Sequence, residues 1–255
     1  MTDDLRIDLN ADLGELGGDV GRVVDEAMMS VVTSANIACG FHAGDGEIMR
    51  RTCALAAAHG VVVGAHVSYD DREGFGRRDL AVVAPKLVHD VLVQLSTLAD
   101  LALAAGAPVR YVKAHGALYN RSAHDFEHAS ALVKAVAAHD ANLVLLAAPQ
   151  SAASELALLS GLRVAYEGFV DRSYRPDATL TPRSESGALY ESSEQCVAQA
   201  LSIVIARSVG ASSGERVDLQ VDSLCVHGDT PHAVATAQQV RAALVGAGVV
   251  LRPFV

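Results

Sequence analysis

Four histidines in this chain each stand just past a short apolar run. They are His42 in Asn36-Ile-Ala-Cys-Gly-Phe-His-Ala-Gly-Asp45, His66 in Gly64-Ala-His66, His115 in Lys113-Ala-His-Gly116 and His227 in Val226-His-Gly-Asp229. An apolar run, a polar tip and then a capped helix mark a βα junction, where a side chain projects above the strand end. The same alternation brings carboxylates and cations to such ends. Asp8, Asn10 and Asp12 share one face of the first strand, and Lys113 continues the strand before His115. Glu167, Asp171 and Arg172 cluster after the sixth strand, and Asp229 follows His227. Convergence of the four histidines on one pocket is the central expectation.

Imidazoles and carboxylates at strand ends suit zinc or another divalent ion. No H-x-H, H-E-x-x-H or H-x-x-x-H spacing supports a metal specifically. A metal-free site, in which histidines and carboxylates exchange protons, is an equal reading. A lysine continuing a buried strand needs a carboxylate partner or an anionic ligand, which makes Lys113 informative. The charged loop Tyr69–Arg78 carries Arg72, Arg77 and Arg78, which could meet a carboxylate or phosphate. There is no G-x-S-x-G elbow and no G-x-x-x-x-G-K-[ST] loop, so serine nucleophile and P-loop chemistry are unsupported.

Positioning these groups requires strands that alternate with helices. Strands are expected at Leu5–Leu9, Thr33–Ala38, Val61–Ala65, Val109–Val112, Leu143–Ala147, Arg163–Glu167 and Leu219–Val226, with a short last one at Val249–Arg252. Helices are expected at Asp25–Val32, Asp45–His59, Ala84–Ala105, Phe126–His139, Ser151–Leu159 and Ser192–Ser208. A last one is capped by Asp229 or Thr230, carries Pro231 in its first turn and runs to about Val245. Glycines from Gly14 to Gly21 read as a loop, and Arg175–Gly187 as a second long loop. Alternation of this kind predicts a parallel sheet. Polar residues follow nearly every strand rather than two at a switch point, so a closed TIM-like (β/α) barrel is favoured over an open sheet.

The 255 residues suit a single barrel domain over residues 1–255, with no linker composition dividing them. A formal charge of −10 without a basic face argues against nucleic-acid binding. Apolar runs such as Ala141–Pro149 are shorter than the ~20 residues of a membrane span, and Met1-Thr-Asp-Asp-Leu-Arg-Ile shows no secretory signal. Four cysteines without a C-x-x-C pair point to free thiols in the cytoplasm. Self-association into a homo-oligomer is left open.

Seven segments taken together carry a resemblance. They are Asp8-Leu-Asn-Ala-Asp-Leu-Gly-Glu15, the Asn36–Asp45 stretch, Gly64-Ala-His66, Gly74-Phe-Gly-Arg-Arg78, Val112-Lys-Ala-His-Gly-Ala-Leu-Tyr-Asn120, Asp171-Arg-Ser-Tyr174 and Val226-His-Gly-Asp-Thr-Pro231. In this order they resemble the LamB/YcsF family of 5-oxoprolinase A subunits. The chain departs from the family pattern at Ala11, where a cysteine is common, and at Val67 and Ala114, where prolines are common. Ala11 argues against a thiol at that position carrying the chemistry.

The resemblance implies a seven-stranded barrel of the glycoside hydrolase/deacetylase type. It implies ATP-dependent opening of 5-oxoproline to L-glutamate with partner subunits B and C. A divalent metal is compatible but not required, with Asp12, His42 and His66 as its candidates. Asp12 is then expected to act as general base or metal ligand. Lys113 and Arg172 would hold a carboxylate or phosphate, and His42, His66, His115 and His227 would shuttle protons, with Asp229 beside them. Asp8, Asn10, Asn36, Arg77, Tyr119, Glu167 and Asp171 are expected to contact substrate. Two other readings are a stand-alone metal-dependent deacetylase or amidohydrolase, and a non-catalytic subunit that binds a sugar or acid.

Overall fold

The computed structural model describes residues 5–227 and 232–255. Its first half alternates β1 (Arg6–Leu13), α1 (Gly18–Met29), β2 (Ser34–Ala38), α2 (Gly46–His59), β3 (Val62–Val67) and α3 (Ala84–Ala104). Then come β4 (Val109–Ala114), α4 (Gly116–Ser122), α5 (Phe126–His139), β5 (Val144–Ala147), α6 (Ala152–Leu159) and β6 (Arg163–Phe169). The chain continues through α7 (Ser193–Ala206), β7 (Ser208–Gly210), β8 (Arg216–Asp218), β9 (Ser223–Val226), α8 (Ala233–Gly246) and β10 (Val250–Leu251).

Seven parallel strands form the barrel in the order β1-β2-β3-β4-β5-β6-β9, and β9 pairs with β1 to close it. The barrel favoured from the sequence is therefore the fold. β10 extends the sheet beside the start of β1, where Arg6 faces Val250 and Ile7 faces Leu251. Closure buries every residue of β2 and β9 and nearly all of β1, which is why their polar residues must satisfy one another. The outward residues Ile7, Leu9, Ala11 and Leu13 join the apolar layer under the helices.

Local chemistry sets the helix bounds. The Asp45 carboxylate accepts the Glu47 and Ile48 amides at 2.9 Å, and Gly60 ends α2 in the left-handed region. Asp125 and Ser192 cap α5 and α7 in the same way. α3 is long and apolar enough to cross a membrane on composition alone. It packs instead along the barrel, with Leu87, Val91, Leu95 and Leu98 buried and the polar Asp90 and Gln94 buried beside them.

Three local readings need correction. α1 starts at Gly18, seven residues before Asp25, because Asp25 accepts the Gly14 amide at 3.1 Å and pairs with Arg51 at 3.0 Å. Those contacts tie the helix to α2 across the glycine-rich turn, and local propensity does not report them. α4 follows His115 directly as a helical turn absent from the periodicity. Between Ser208 and Asp218 the chain forms an antiparallel ribbon where a helix end and a connection were expected. The Arg175–Gly187 loop is pinned by backbone bridges between Arg172 and Leu189 and between Tyr174 and Leu180.

Candidate active site

The inward residues of the strands build a polar column inside the barrel. At its base Asp8 accepts hydroxyl hydrogen bonds from Ser34, Ser223 and Thr33, the last at 2.6 Å. Above it the Asn10 amide donates to Ser223 Oγ at 2.7 Å and to Glu167 Oε1 at 3.2 Å. Asn36 Nδ2 donates to Asn10 Oδ1 at 2.6 Å and to Asp12 Oδ1 at 2.8 Å, and the Tyr111 hydroxyl donates to Asn36 Oδ1 at 2.6 Å. Asp8, Asn10 and Asn36 are thus bonded beneath the site. The structure does not bring them to the pocket that lies above.

Lys113 caps the column. Its ammonium lies 3.0 Å from Asp12 Oδ1, 2.8 Å from Glu167 Oε1 and 3.2 Å from Cys225 Sγ. Burial alone would strip its proton, but Asp12, Cys225 and Glu167 outweigh that and hold it well above the usual lysine value. Burial likewise pushes Asp12 up, yet His66 and Lys113 override it and hold the carboxyl well below the carboxylate range. Glu167 is shifted up by burial, offset in part by Lys113. One cation thus faces two acids whose carboxyls are shifted in opposite directions, Asp12 down and Glu167 up.

Asp12 Oδ2 lies 3.3 Å from His66 Nε2, which lies 2.9 Å from His115 Nδ1. His115 Nε2 donates to the Phe75 carbonyl at 2.9 Å. That bond leaves Nδ1 as the acceptor, so the proton between the two rings sits on His66. Gly76 makes the approach possible. Its φ of +66° suits a residue without a side chain, and a Cβ there would lie 2.8 Å from the His115 ring. His42 stacks on His115 with centroids 3.9 Å apart and an angle of 8°. It also bonds Ser68 Oγ at 3.0 Å and Glu15 Oε1 at 3.1 Å. Burial lowers His42 to about 4, with Arg72 and Arg77 adding to the effect against Asp12, and lowers His115 well below its ordinary value.

Glu15, His42, His66 and His115 place ligand atoms within 4.8 Å of one another. A carboxylate with imidazoles fits a zinc-like ion. The parallel stack aims the in-plane lone pairs of His42 and His115 along separate lines, so the set fits an ion through Glu15, His66 and one of those two rings. Asp12 groups instead with Cys225 and His227.

A pocket of 330 Å3 opens over this floor, and Asp12, His66, Lys113, His115, Arg77 and Tyr119 are among its lining residues. Arg172, Arg183 and His227 also line it, with His227 close to Asp12. His227 Nδ1 lies 2.9 Å from Asp171, and its ring stacks on Phe169 at 5.4 Å. His66, His115 and His227 therefore reach one pocket, while His42 stands behind His115. Of the other loop arginines, Arg72 bonds the Gly40 and Gly44 carbonyls and Arg78 pairs with Asp71, so neither faces the pocket. Asp229 lies outside the described residues.

Glu15, Tyr111, Arg183 and the Phe75 carbonyl escaped the sequence reading. Tyr111 was accessible to it, two residues before Lys113 on the same strand face. Glu15 was not, because it follows the strand where alternation no longer applies.

The LamB/YcsF family profile matches residues 7–255. The chain belongs to the LamB/YcsF family. Within it, a protein of Pseudomonas syringae pv. tomato, named as a 5-oxoprolinase A subunit, is 48% identical over 248 residues, covering 97% of each chain. A Streptomyces avermitilis protein, likewise named as a 5-oxoprolinase A subunit, is also 48% identical, covering 97% of this chain and 99% of its own. The crystal structure of the lactam utilization protein from Thermus thermophilus superposes with a TM-score of 0.91 at 40% identity, covering 98% of this chain and all of that one. A peptidoglycan N-acetylglucosamine deacetylase domain from Eubacterium rectale shares the fold alone, at a TM-score of 0.53 and 13% identity.

Proposed function

We propose that this chain is the A subunit of an ATP-hydrolysing 5-oxoprolinase, a cytoplasmic hydrolase that opens 5-oxo-L-proline to L-glutamate together with subunits B and C. The observation that carries the reading is the Asp12–His66–His115 cluster, in which Asp12 and His115 both meet His66 Nε2, on the floor of a pocket walled by Arg77, Arg172 and Arg183. Names of relatives at 48% identity over nearly the whole chain point the same way.

Opening the ring adds water across the C–N bond. The water oxygen joins the carbonyl carbon, and the ring nitrogen takes a proton and leaves as the amine of glutamate. The amide is unstrained and the ring form is favoured, so coupling to ATP hydrolysis is a reasonable requirement. Without a P-loop in this chain, phosphoryl transfer from ATP to the lactam oxygen is assigned to the assembly with B and C. This subunit adds water to the phosphorylated lactam, and a second water releases the phosphate, so that lactam, ATP and two waters give glutamate, ADP and phosphate.

Asp12 is held ionised by Lys113 and so is a weak proton acceptor; it orients His66 and stabilises positive charge there. The His66–His115 pair moves the proton between water and the leaving nitrogen. His227, oriented by Asp171, stands near Asp12 as a second acid-base group. Lys113 maintains the charge on Asp12 rather than holding substrate, and the anionic end of the ligand falls to the arginines. When bound by Glu15, His66 and a stacked imidazole, a divalent ion would supply Lewis acidity toward a carbonyl or water.

The test is glutamate release by Asp12→Asn and His115→Ala with B and C present and folding checked by circular dichroism. Each is expected to lose at least ~100-fold in turnover. Wild-type turnover in both would overturn the reading. Amide hydrolysis without ATP, B or C, with stoichiometric zinc, would replace it with a stand-alone amidohydrolase.

A further inference from the structure

His115 follows β4, yet the acceptor that sets its ring comes from the Tyr69–Arg78 loop. The Phe75 carbonyl accepts the Nε2 proton at 2.9 Å, and the Phe75 ring meets the His115 and His42 rings edge-on at 5.4 and 5.6 Å. Presenting both carbonyl and ring to one imidazole requires an unusual backbone. Phe75 has a φ of +53° and Gly76 a φ of +66°. Two consecutive left-handed residues need support from their surroundings, and a bulky aromatic needs it most.

Asp71 gives that support on both sides of Phe75. Its carboxylate accepts the Gly74 amide at 3.0 Å, and its main-chain carbonyl accepts the Gly76 amide at 2.8 Å. The same carboxylate accepts the Arg78 amide at 3.2 Å and Arg78 Nε at 2.6 Å. Both neighbours of Phe75 and the end of the loop are thus tied to one residue. A Cβ on Gly74 would lie 2.3 Å from this carboxylate, so the close approach requires glycine there. On the barrel side the Gly76 carbonyl accepts the Ala117 amide of α4 at 2.9 Å. Asp71 is buried but lies outside the lining of the catalytic pocket. The Arg78 side chain is 56% exposed, so the ion pair by itself is a weak reason to bury a carboxylate.

We infer that Asp71 is a positioning residue: it holds Gly74-Phe75-Gly76 in the one conformation that locks the His115 Nε2–H on the Phe75 carbonyl and leaves Nδ1 facing His66. It acts through the loop backbone and not by touching the imidazole. Without the carboxylate, Phe75 relaxes toward negative φ and its carbonyl turns away from His115. The ring then loses its fixed acceptor, and its Nδ1 is no longer held 2.9 Å from His66 Nε2. The inference rests on the hydrolytic reading only for the consequence in turnover.

Nuclear magnetic resonance of the full chain, with nitrogen-15 in its histidines and glycines, reads the ring N–H directly. Wild type should show a slowly exchanging, downfield Nε2–H resonance that disappears in His115→Gln. In Asp71→Asn the new NH2 group meets the Arg78 amide donor to donor, and the clamp opens. The resonance should then vanish or exchange at least ~100-fold faster, and glutamate release with B and C should fall at least ~10-fold. If that variant misfolds, wild type decides the matter. One opening frees all three groups, so protection of the His115 Nε2–H should match that of the Gly74 and Gly76 amides within ~10-fold. An intact resonance in folded Asp71→Asn, no protected ring N–H in wild type, or protection unrelated to the two amides overturns the inference. Loss of the resonance with undiminished glutamate release leaves the inference standing and overturns the role of His115 in hydrolysis. Reduced release with the resonance intact does the reverse.

Discussion

Asp8 is the one acid of the polar column remote from the pocket. Burial raises its carboxyl from the ordinary 3.8 to about 6, although Ser223, Ser34 and Thr33 donate to it and oppose the rise. The folded chain therefore keeps a proton that the unfolded chain has already lost. This contribution to stability is fully present below about pH 4 and is lost as pH rises through about 6. A difference of about two pH units corresponds to roughly 3 kcal/mol. Asp8→Asn removes the titration. Urea midpoints measured from pH 4 to 7 should show wild type losing stability relative to this variant as pH rises, by up to ~3 kcal/mol. A constant difference across that range would show that Asp8 does not titrate there.

At the scale of an element, β3 and β4 pack only because of one missing side chain. A Cβ on Gly64 would lie 2.2 Å from the Tyr111 ring, whose hydroxyl ties β4 to Asn36 on β2. Overpacking of this kind typically costs about 1–3 kcal/mol. Gly64→Ala is expected in the upper part of that range, since the obstacle is a ring hydrogen-bonded on its far side. Combining it with Tyr111→Leu should recover part of the loss, and a double-mutant cycle of denaturation free energies measures the coupling. Additive effects would mean that the two positions do not compete for space. Site residues on β1, β2, β3, β4 and β6 are held in this way by strands, whereas Phe75 and Arg77 depend on the Tyr69–Arg78 loop.

In the whole molecule, chemistry and stability occupy opposite ends of the barrel. The strand C-terminal ends carry the pocket. A small apolar cluster of Tyr111, Val144, Leu146 and Ala165 receives Phe254 and Val255 from the end of the chain, with Phe254 5.0 Å from the Tyr111 ring. This division matches the general separation of function and stability in such barrels. Phe254 is partly exposed, so Phe254→Ala should cost about 1–2 kcal/mol, or ~2–8 °C in melting temperature, while oxoproline affinity stays at the wild-type value. A matching loss of affinity would mean that the column transmits the change to the pocket.

Residue order alone determined the barrel and much of the site. Period-two alternation in Asp8–Asp12 and Lys113–His115 reports which side chains share a strand face, and the capped helices report how strands must connect. What it could not decide is which of those groups meet. Asp8, Asn10 and Asp12 look equivalent in the chain, yet closure of β9 on β1 seals two of them against Ser34, Ser223 and Asn36 and leaves Asp12 under the pocket. Likewise Lys113 reads as a candidate for anion binding until the fold sets Asp12 and Glu167 within 3.0 Å and 2.8 Å of it. Arg172, by contrast, is buried with carbonyl partners at Thr181 and Ala188. Charge compensation depends on distances across the barrel, and strand closure sets those distances.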